Sequence, residues 1–308
     1  MDFSPPSTIL VLAWGDVVEA NLQYIVSGLS IGGVYALVAL GFSMMWSVAR
    51  AANFTHGDIF MLGAVLTVAF GWLGLPLPIA AAFAILCAIG ASCAIERFLV
   101  RPFNREANAI GWMLTTIAVG VMIESFGTAT YGPLPQPLPT PLVAEPIRFG
   151  GAGIFPQELL LPATAILVMI ALHFFQTRTL TGRAIRAVAA NRTAAGLMGI
   201  DVDRITLMVF GAAGGLGALA GFLIAPVIQA STTMGIIIGL KAFMIAIISG
   251  ISNPYGVVAV ALIFGIVERF IEGYLSTSAR DAFGFTLMIL VLLLFPQGIF
   301  GRREVVKV

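Results

Sequence analysis

Two long stretches of the chain carry no charged residue, and they constrain the fold more than any other feature. The first runs from Ile59 to Ile95 and the second from Ile205 to Leu240. Each exceeds the roughly 20 apolar residues that a helix needs to cross the hydrocarbon core of a bilayer. Because a helix satisfies its own backbone hydrogen bonds within that core, both stretches are predicted to be helical. We therefore expect an integral membrane protein whose fold is an all-α, polytopic transmembrane helical bundle.

The composition agrees with a membrane location. Of the 308 residues, 59% are hydrophobic and only 10% are charged, whereas soluble domains carry roughly 25% charged residues. The net charge of +1 predicts no nucleic-acid partner and no strongly acidic substrate. Cys87 and Cys93 lie on different faces of one helical stretch, so they are expected to be unpaired. Residues 1–308 are expected to form a single transmembrane domain.

Nine apolar segments follow one another along the chain, and each is a candidate membrane span. The second and the seventh are short for a full crossing, so they could be tilted, re-entrant or broken. The expected number of spans is therefore eight to ten, with nine preferred. The segments are 22–46, 57–72, 77–95, 111–131, 159–175, 205–226, 236–251, 255–272 and 283–296.

Basic residues predict which side of the membrane the loops face. Short loops rich in lysine and arginine stay in the cytoplasm. With nine crossings, Arg50 and three basic clusters fall on that side together with the C-terminus, and the N-terminus falls on the other. An eight-span arrangement with one re-entrant segment before the first cluster would instead place the N-terminus inside. The clusters are Arg97, Arg101 and Arg105, then Arg178, Arg183, Arg186, Arg192 and Arg204, then Arg302, Arg303 and Lys307.

The outer loop, residues 132–158, is rich in proline. Proline stands at every second position from Pro133 to Pro141, which favours an extended polyproline II conformation. Such a loop serves either as a stiff connector over the outer face or as a docking surface for an external partner.

The inner loop, residues 176–204, is the longest cytoplasmic segment. Its run from Ala184 to Ala195 is rich in alanine and is predicted to be helical. Gly196 and Gly199 are expected to break that helix, and Asp201 can cap the next one. A helix with such small side chains suits insertion into a cleft on another protein. An ordinary interfacial helix with arginines at the lipid headgroups is the alternative.

Polar residues within apolar segments are functional candidates, because an ionisable group there costs roughly 2.5–3.5 kcal/mol on insertion scales. Three of them precede or begin the second segment, where they either cap its helix or line a pathway. Lys241 is expected to pair with Glu268 or with Glu124, or the charges complement a zwitterionic substrate. The pathway candidates are Asn53, His56, Asp58, Glu124, Lys241 and Glu268.

Several catalytic and nucleotide-binding motifs are missing from the sequence. There is no GxxxxGK[ST] phosphate loop, so the chain is not expected to bind ATP through that motif. There is also no HExxH metal motif and no GxSxG nucleophile elbow. The sequence therefore predicts neither an enzyme nor a metal site.

Five sequence runs resemble one family. GRAIRAVAANRTAAGLMGIDVDRI, from Gly182, resembles the ATPase-docking loop of ABC-transporter permeases, in particular the LivH type of branched-chain amino acid permease. Four other runs resemble the same family in order along the chain, from Gly28, Glu96, Gly239 and Phe295. They read GLSIGGVYALVALGFSMMWSVARAANFTHGDIFMLGA, ERFLVRPF, GLKAFMIAIISGISNPYGVVAVALIFGIVE and FPQGIFGR. The chain departs from the family at 251–256, where it reads ISNPYG.

The resemblance implies the membrane-spanning permease subunit of a bacterial ABC importer in the inner membrane, working by alternating access. Its partners would be a second permease that is related but different, two cytoplasmic ATPases that hold ATP and Mg²⁺, and a periplasmic solute-binding protein. This chain itself would bind no cofactor. The N-terminus would be periplasmic and the C-terminus cytoplasmic. The ATPase-docking residues would be Gly182, Arg183, Arg186, Ala190, Arg192, Gly196 and Gly199.

Substrate and coupling stay open at this stage. Branched-chain amino acids are the leading choice, and urea, short amides and small aromatic acids are alternatives carried by relatives. A stand-alone secondary transporter or channel is the second hypothesis. It would need its own coupling residues, such as Glu124 and Lys241, and would have no need of a docking helix.

Overall fold

The computed structural model describes residues 6–105, 109–149, 152–251, 253–295 and 297–301, and most of them are helical. The helices are α1 (Pro6–Ala49), α2 (His56–Trp72), α3 (Leu77–Ile95), α4 (Arg101–Arg105), α5 (Ala109–Tyr131), α6 (Pro156–Arg178), α7 (Leu180–Ala190), α8 (Arg192–Leu197), α9 (Val202–Ile228), α10 (Met234–Ile248), α11 (Pro254–Tyr274) and α12 (Thr277–Leu294). A π-helical turn, Glu96–Val100, links α3 to α4.

The apolar helices of the described residues coincide with the nine segments identified from the sequence. Seven of them are long and apolar enough to cross a membrane by length and composition. The other two, α2 with 17 residues and α10 with 15, are shorter. They are the same two segments that the sequence marks as short. The preference for nine full crossings is therefore not confirmed.

The outer loop contains the small departure from an all-α fold. Strand β1 (Ile147–Phe149) pairs antiparallel with β2 (Ala152–Ile154). Earlier in the loop, Gln136 forms an isolated bridge with Ala230, just beyond the end of α9. The loop is thus fastened to the bundle at that point. Its polyproline II conformation stays a prediction.

Helix α1 forms the centre of the bundle. It packs against α6, α9, α10 and α11, and nearly all its residues from Val26 to Ala49 are buried. Gly28 and Gly32 allow α11 to approach closely, because a Cβ atom at Gly28 would lie 2.6 Å from the Cα of Ile266. Small residues at such contacts let membrane helices pack backbone to backbone.

The predicted cytoplasmic loops meet at one end of the bundle. Arg101 donates a hydrogen bond of 3.1 Å to the carbonyl of Asp203, next to the start of α9. Arg50, just after α1, donates one of 3.3 Å to the carbonyl of Ala189 in α7. Which side of the membrane this end faces stays a prediction. The predicted basic tail, Arg302, Arg303 and Lys307, lies outside the described residues.

The chain turns back after α1, so α2 begins alongside the interior of α1 and not at its end. Arg50 adopts a left-handed conformation, with φ of 53°, and residues 51–55 form a non-helical, largely buried segment. His56, the first residue of α2, lies with its Nε2 3.2 Å from the carbonyl oxygen of Val38, well inside α1. Non-helical backbone at membrane depth is tolerated where protein covers it, as it does here.

Helix α10 repeats this arrangement in the opposite direction. Helix α9 ends at Ile228, Gln229 adopts a positive φ of 66°, and α10 begins at Met234 after a short irregular segment. The first turns of α2 and α10 touch, since a Cβ atom at Gly235 would lie 2.7 Å from the carbonyl oxygen of Gly57. Inverted pairs with interrupted helices are typical of transporter folds, where they bring binding sites to the middle of the membrane.

Candidate functional site

The inner loop forms two short helices rather than the single helix predicted over 184–195. Asn191 separates α7 from α8, because its backbone is extended and its Oδ1 accepts a hydrogen bond of 2.9 Å from the N–H of Ala194. Gly196 therefore lies within α8 and does not break a helix, contrary to the prediction. Gly199 does make a turn, with φ of +83°, and Asp201 caps α9 by accepting from Arg204 N–H at 3.0 Å, as predicted.

The loop helices have one buried and one exposed face. Gly182 lies on the buried face, where a Cβ atom would lie 2.5 Å from the Cα of Gln176 in α6. Arg183, Arg186 and Ala190 lie on the exposed face of α7. A feature that the sequence reasoning missed follows α7. Two large apolar side chains at the end of α8 stand free, with Leu197 85% exposed and Met198 83% exposed.

Two arginines connect this loop to the end of α1. Arg192 donates a hydrogen bond of 3.5 Å to the carbonyl of Ala49, and Arg50 donates one of 3.3 Å to the carbonyl of Ala189. The two contacts run in opposite directions between the same two segments. They join α7 and α8 to the point where the chain turns back toward α2.

The polar residues before α2 organise the turn that leads into it. Asn53 Oδ1 accepts a hydrogen bond of 3.2 Å from the N–H of Thr55, and Thr55 Oγ1 donates one of 2.6 Å to the carbonyl of Thr116 in α5. Asn53, Thr55 and His56 are fully buried. Asn53 thus contacts the turn before α2 and does not cap the helix, and Thr55 stands at the cap position without a side-chain cap.

Asp58 differs from these neighbours. It lies in the first turn of α2 and is 5% exposed, yet its Oδ1 has no hydrogen-bond partner among the described residues. Gly120 of α5 faces this carboxylate, and a side chain at that position would overlap Asp58 Oδ2. The absence of a side chain on Gly120 thus makes room for the acid.

A cavity of about 280 Å³ adjoins Asp58. It lies between α2, α5 and α10, together with two phenylalanines from the end of α1 and the turn after it. Asp58 is its single ionisable lining residue within the part of the chain that the structure describes. The other lining residues are Phe42, Phe54, Ile117, Gly120, Val121, Gly235, Ile236, Gly239, Leu240 and Phe243.

A second group of charges joins α10, α11 and α12; its Lys241 and Glu268 are buried, whereas the side chain of Asp281 is 45% exposed. Lys241 Nζ forms an ion pair with Glu268 and lies 2.8 Å from Asp281 Oδ1. Arg280 Nε lies 3.3 Å from Glu268 Oε1, and Tyr35 Oη donates a hydrogen bond of 2.8 Å to Glu268 Oε2. Of the two partners considered for Lys241, the structure brings Glu268 to it.

Sequence reasoning missed Tyr35, Arg280 and Asp281 as members of this group. The adjacent charges of Arg280 and Asp281, just before the last apolar segment, were the available signal. Glu124 lies half-buried on α5 and takes no part in the pairing of Lys241. Within the described ranges, no group of three or more His, Cys, Asp or Glu side chains is placed to hold a metal ion.

Comparisons with known proteins agree over nearly the whole chain. The family model "Branched-chain amino acid transport system / permease component" matches residues 24–292. The high-affinity branched-chain amino acid transport system permease protein LivH of Escherichia coli is 32% identical over 304 residues, covering 93% of this chain and 97% of the relative. The corresponding protein BraD of Pseudomonas aeruginosa is 31% identical over 302 residues, covering 93% and 98%.

One solved structure, PsaBC from Streptococcus pneumoniae in complex with Fab, also covers 91% of each chain. Its sequence identity is 14% and its TM-score is 0.45. That likeness is too distant to carry an argument about this chain.

Proposed function

The chain belongs to the family of permease components of branched-chain amino acid transport systems, and from that premise we propose how it is driven and what it carries. It forms part of the membrane pathway of an ATP-driven importer for branched-chain amino acids. Alternating access exposes that pathway first to one side of the membrane and then to the other. ATP and Mg²⁺ bind to separate ATPase subunits, since this sequence has no phosphate loop.

The observation that carries this proposal is the loop of α7 and α8. Leu197 and Met198 are large apolar side chains exposed on a loop rich in arginine. Exposed apolar groups that are clustered in this way mark protein interaction sites. We assign this loop as the docking site of the ATPase, with Leu197 and Met198 inserted into its cleft and Arg183 and Arg186 at the rim.

The same loop offers a direct route for coupling. Closure of the ATPases on ATP moves α7 and α8, and the hydrogen bonds from Arg192 and Arg50 carry that movement to the end of α1. The buried segment 51–55 then carries it to the first turn of α2. That turn lies against α5, α9 and α10, beside the cavity that Asp58 lines. The route thus crosses from the docking site to α1 through two hydrogen bonds and then follows the chain from α1 into α2.

The remaining parts of the importer follow from the family. A second permease, related but different, completes the pathway, and a periplasmic solute-binding protein delivers the amino acid. The complex resides in the inner membrane of a bacterium, with the N-terminus of this chain in the periplasm and its C-terminus in the cytoplasm. This orientation places the arginine-rich loops on the cytoplasmic side, as the positive-inside rule requires.

The docking assignment is tested by co-purification. The double variant Leu197→Glu/Met198→Glu, tagged and extracted in mild detergent, should lose most of its ATPase subunits while the second permease still co-purifies. Leu134→Glu is the matched control, because Leu134 is an apolar residue 70% exposed in the outer loop. It should retain the ATPases at the wild-type ratio. Insertion of a bulky pair between Ala195 and Gly196 should act like the double variant.

Wild-type recovery of ATPases by the double variant and by the insertion would refute the docking assignment. The energy source is tested separately by dissipating the proton gradient in cells that keep their ATP. Uptake of leucine should persist. If it stops, the chain works as a proton-coupled carrier, and Glu124 and Lys241 become the coupling candidates.

A further inference from the structure

Asp58 is a buried acid that forms no ion pair with a basic residue in the described part of the chain. It is 5% exposed, and its Oδ1 has no partner among the residues described. The charge acting on it is that of Glu124, a second acid one turn beyond Gly120 on α5. Burying a charged group costs free energy unless a partner compensates it. A cavity lined by such an acid, with a second acid on the neighbouring helix α5, favours a ligand that brings a positive charge.

The rest of the cavity beside Asp58 suits an apolar group. Phe42, Phe54 and Phe243 form one wall, and Val121 and Leu240 contribute further apolar surface. The volume of about 280 Å³ lies near the lower end of the range for small-molecule sites. Apolar surroundings with a single convergent polar group are typical of sites that orient a small ligand.

We propose that this cavity is a transit site for the amino acid, in which Asp58 accepts hydrogen bonds from the α-ammonium group. The side chain of the amino acid packs against Phe42, Phe54 and Phe243. The first turn of α10, at Gly235 and Ile236, borders the same cavity, and N–H groups of a first helical turn suit a carboxylate. This inference rests on the proposed function, since it takes an amino acid as the solute.

The cavity is accessible from the side of the bundle. Ile117 and Val121 of α5 and Ile236 and Leu240 of α10 line it and are themselves partly exposed. A pathway between two permease subunits, as the proposed function requires, would run along this opening. Glu268, in contrast, is already bound by Lys241, Arg280 and Tyr35, so it has little capacity left for a solute.

The role of the Asp58 charge in transport is tested with the complete importer. It is purified with its second permease and ATPases and reconstituted in vesicles with the solute-binding protein. Asp58→Asn should lower ATP-driven uptake of radiolabelled leucine by about tenfold, because a charge-assisted hydrogen bond is lost. The amount of assembled complex should stay at the wild-type level. ATP hydrolysis stimulated by the binding protein should fall less than uptake, so fewer leucines are moved per ATP.

The shape of the cavity is tested with a pair of neighbouring residues on α5. Val121 lines the cavity, whereas Met122 is exposed next to it and does not. Val121→Trp should obstruct the site and reduce uptake at least fivefold. Met122→Trp places the same indole ring one position away and should transport at close to the wild-type rate.

The results separate this inference from the proposed function. Wild-type uptake by both Asp58→Asn and Val121→Trp would overturn the transit site and leave the ATP-driven importer intact. If Asp58→Asn fails to assemble, the comparison of Val121→Trp with Met122→Trp decides, and equal uptake by these two overturns the site. Uptake by the wild type without ATP would refute the importer, while selective loss in Val121→Trp would still support the cavity.

Discussion

Two buried acids in this bundle have opposite surroundings. Glu268 is held by Lys241, by Arg280 at 3.3 Å and by a hydrogen bond of 2.8 Å from Tyr35 Oη. Asp58 is buried to a similar degree, yet its Oδ1 has no partner in the described part of the chain. The first acid belongs to a completed ionic network between helices. Both acids border a cavity, of about 230 Å³ at Glu268 and about 280 Å³ at Asp58, but only Asp58 borders it without a partner for Oδ1 among the described residues.

This difference separates an acid that holds the fold together from an acid that is available to a ligand. Removing one member of a buried ion pair leaves the other charge uncompensated, which is strongly destabilising. Removing a buried charge that has no partner relieves a desolvation cost instead. Stability and transport should therefore respond in opposite ways at the two sites. The four expectations that follow concern the free energy of unfolding, measured by SDS titration of the purified chain in mixed micelles.

Lys241→Met should cause the largest loss, about 3 kcal/mol, because Glu268 and Asp281 both lose their ammonium partner. Arg280 remains beside Glu268 and reduces the loss of stability, since it still compensates part of the negative charge. The double variant Lys241→Met/Glu268→Gln should recover part of the loss, since it removes the uncompensated acid. A double variant no more stable than the single one would contradict the ionic account of this cluster.

Gly57→Ala should cost about 2 kcal/mol, because an added Cβ overlaps the carbonyl oxygen of Gly235 at the contact of α2 with α10. Gly71→Ala is the matched control in the same helix. A Cβ there meets nothing within 4 Å, so alanine should stabilise the helix by about 0.5 kcal/mol. Equal effects of the two substitutions would show that the contact of the two helices is looser than described.

Tyr35→Phe should cost about 1.5 kcal/mol, since it removes one hydrogen bond to the buried carboxylate of Glu268 and keeps the ring. The loss should shrink in a Glu268→Gln background, where the acceptor is no longer charged. A double-mutant cycle over these two positions measures the difference. A coupling energy near zero would remove Tyr35 from the network.

Asp58→Asn should have the smallest effect, within about 0.5 kcal/mol or slightly stabilising, because no ion pair is broken. The same variant is expected to lose transport. A large loss of stability would place Asp58 with Glu268 among the acids that hold the fold together, and the contrast between the two sites would disappear.

The positions of the apolar helices follow from sequence, because an uncharged stretch of about 20 residues is stable in a bilayer only as a spanning helix. The starts of α2 and α10 follow from sequence as well, since the predicted segments begin at 57 and 236 and the helices begin at His56 and Met234. The meeting of these two starts inside the bundle does not follow, because it depends on how the chain turns at residues 51–55 and 229–233. Tertiary contacts, such as that of Thr55 with Thr116, fix those turns.

Some site residues can likewise be identified from sequence, and others only from the folded structure. Lys241 and Glu268 are conspicuous as charges in apolar segments, but the choice between Glu124 and Glu268 depends on which helices α10 packs against. Leu197 and Met198 are ordinary apolar residues in the sequence. Only the folded loop shows that nothing in the described chain covers them. The function of a charge is thus easier to suspect from sequence than the function of an exposed apolar side chain.

The contact of Gly57 with Gly235 and Gly239 has a mechanical consequence. Where side chains lie between two helices, a small shift of one helix can be absorbed when those side chains change rotamer. Here two backbones touch with no side chain between them, so nothing at the contact can yield. The first turns of α2 and α10 are therefore rigidly coupled. A displacement of either helix moves the other with it, unless the two helices separate.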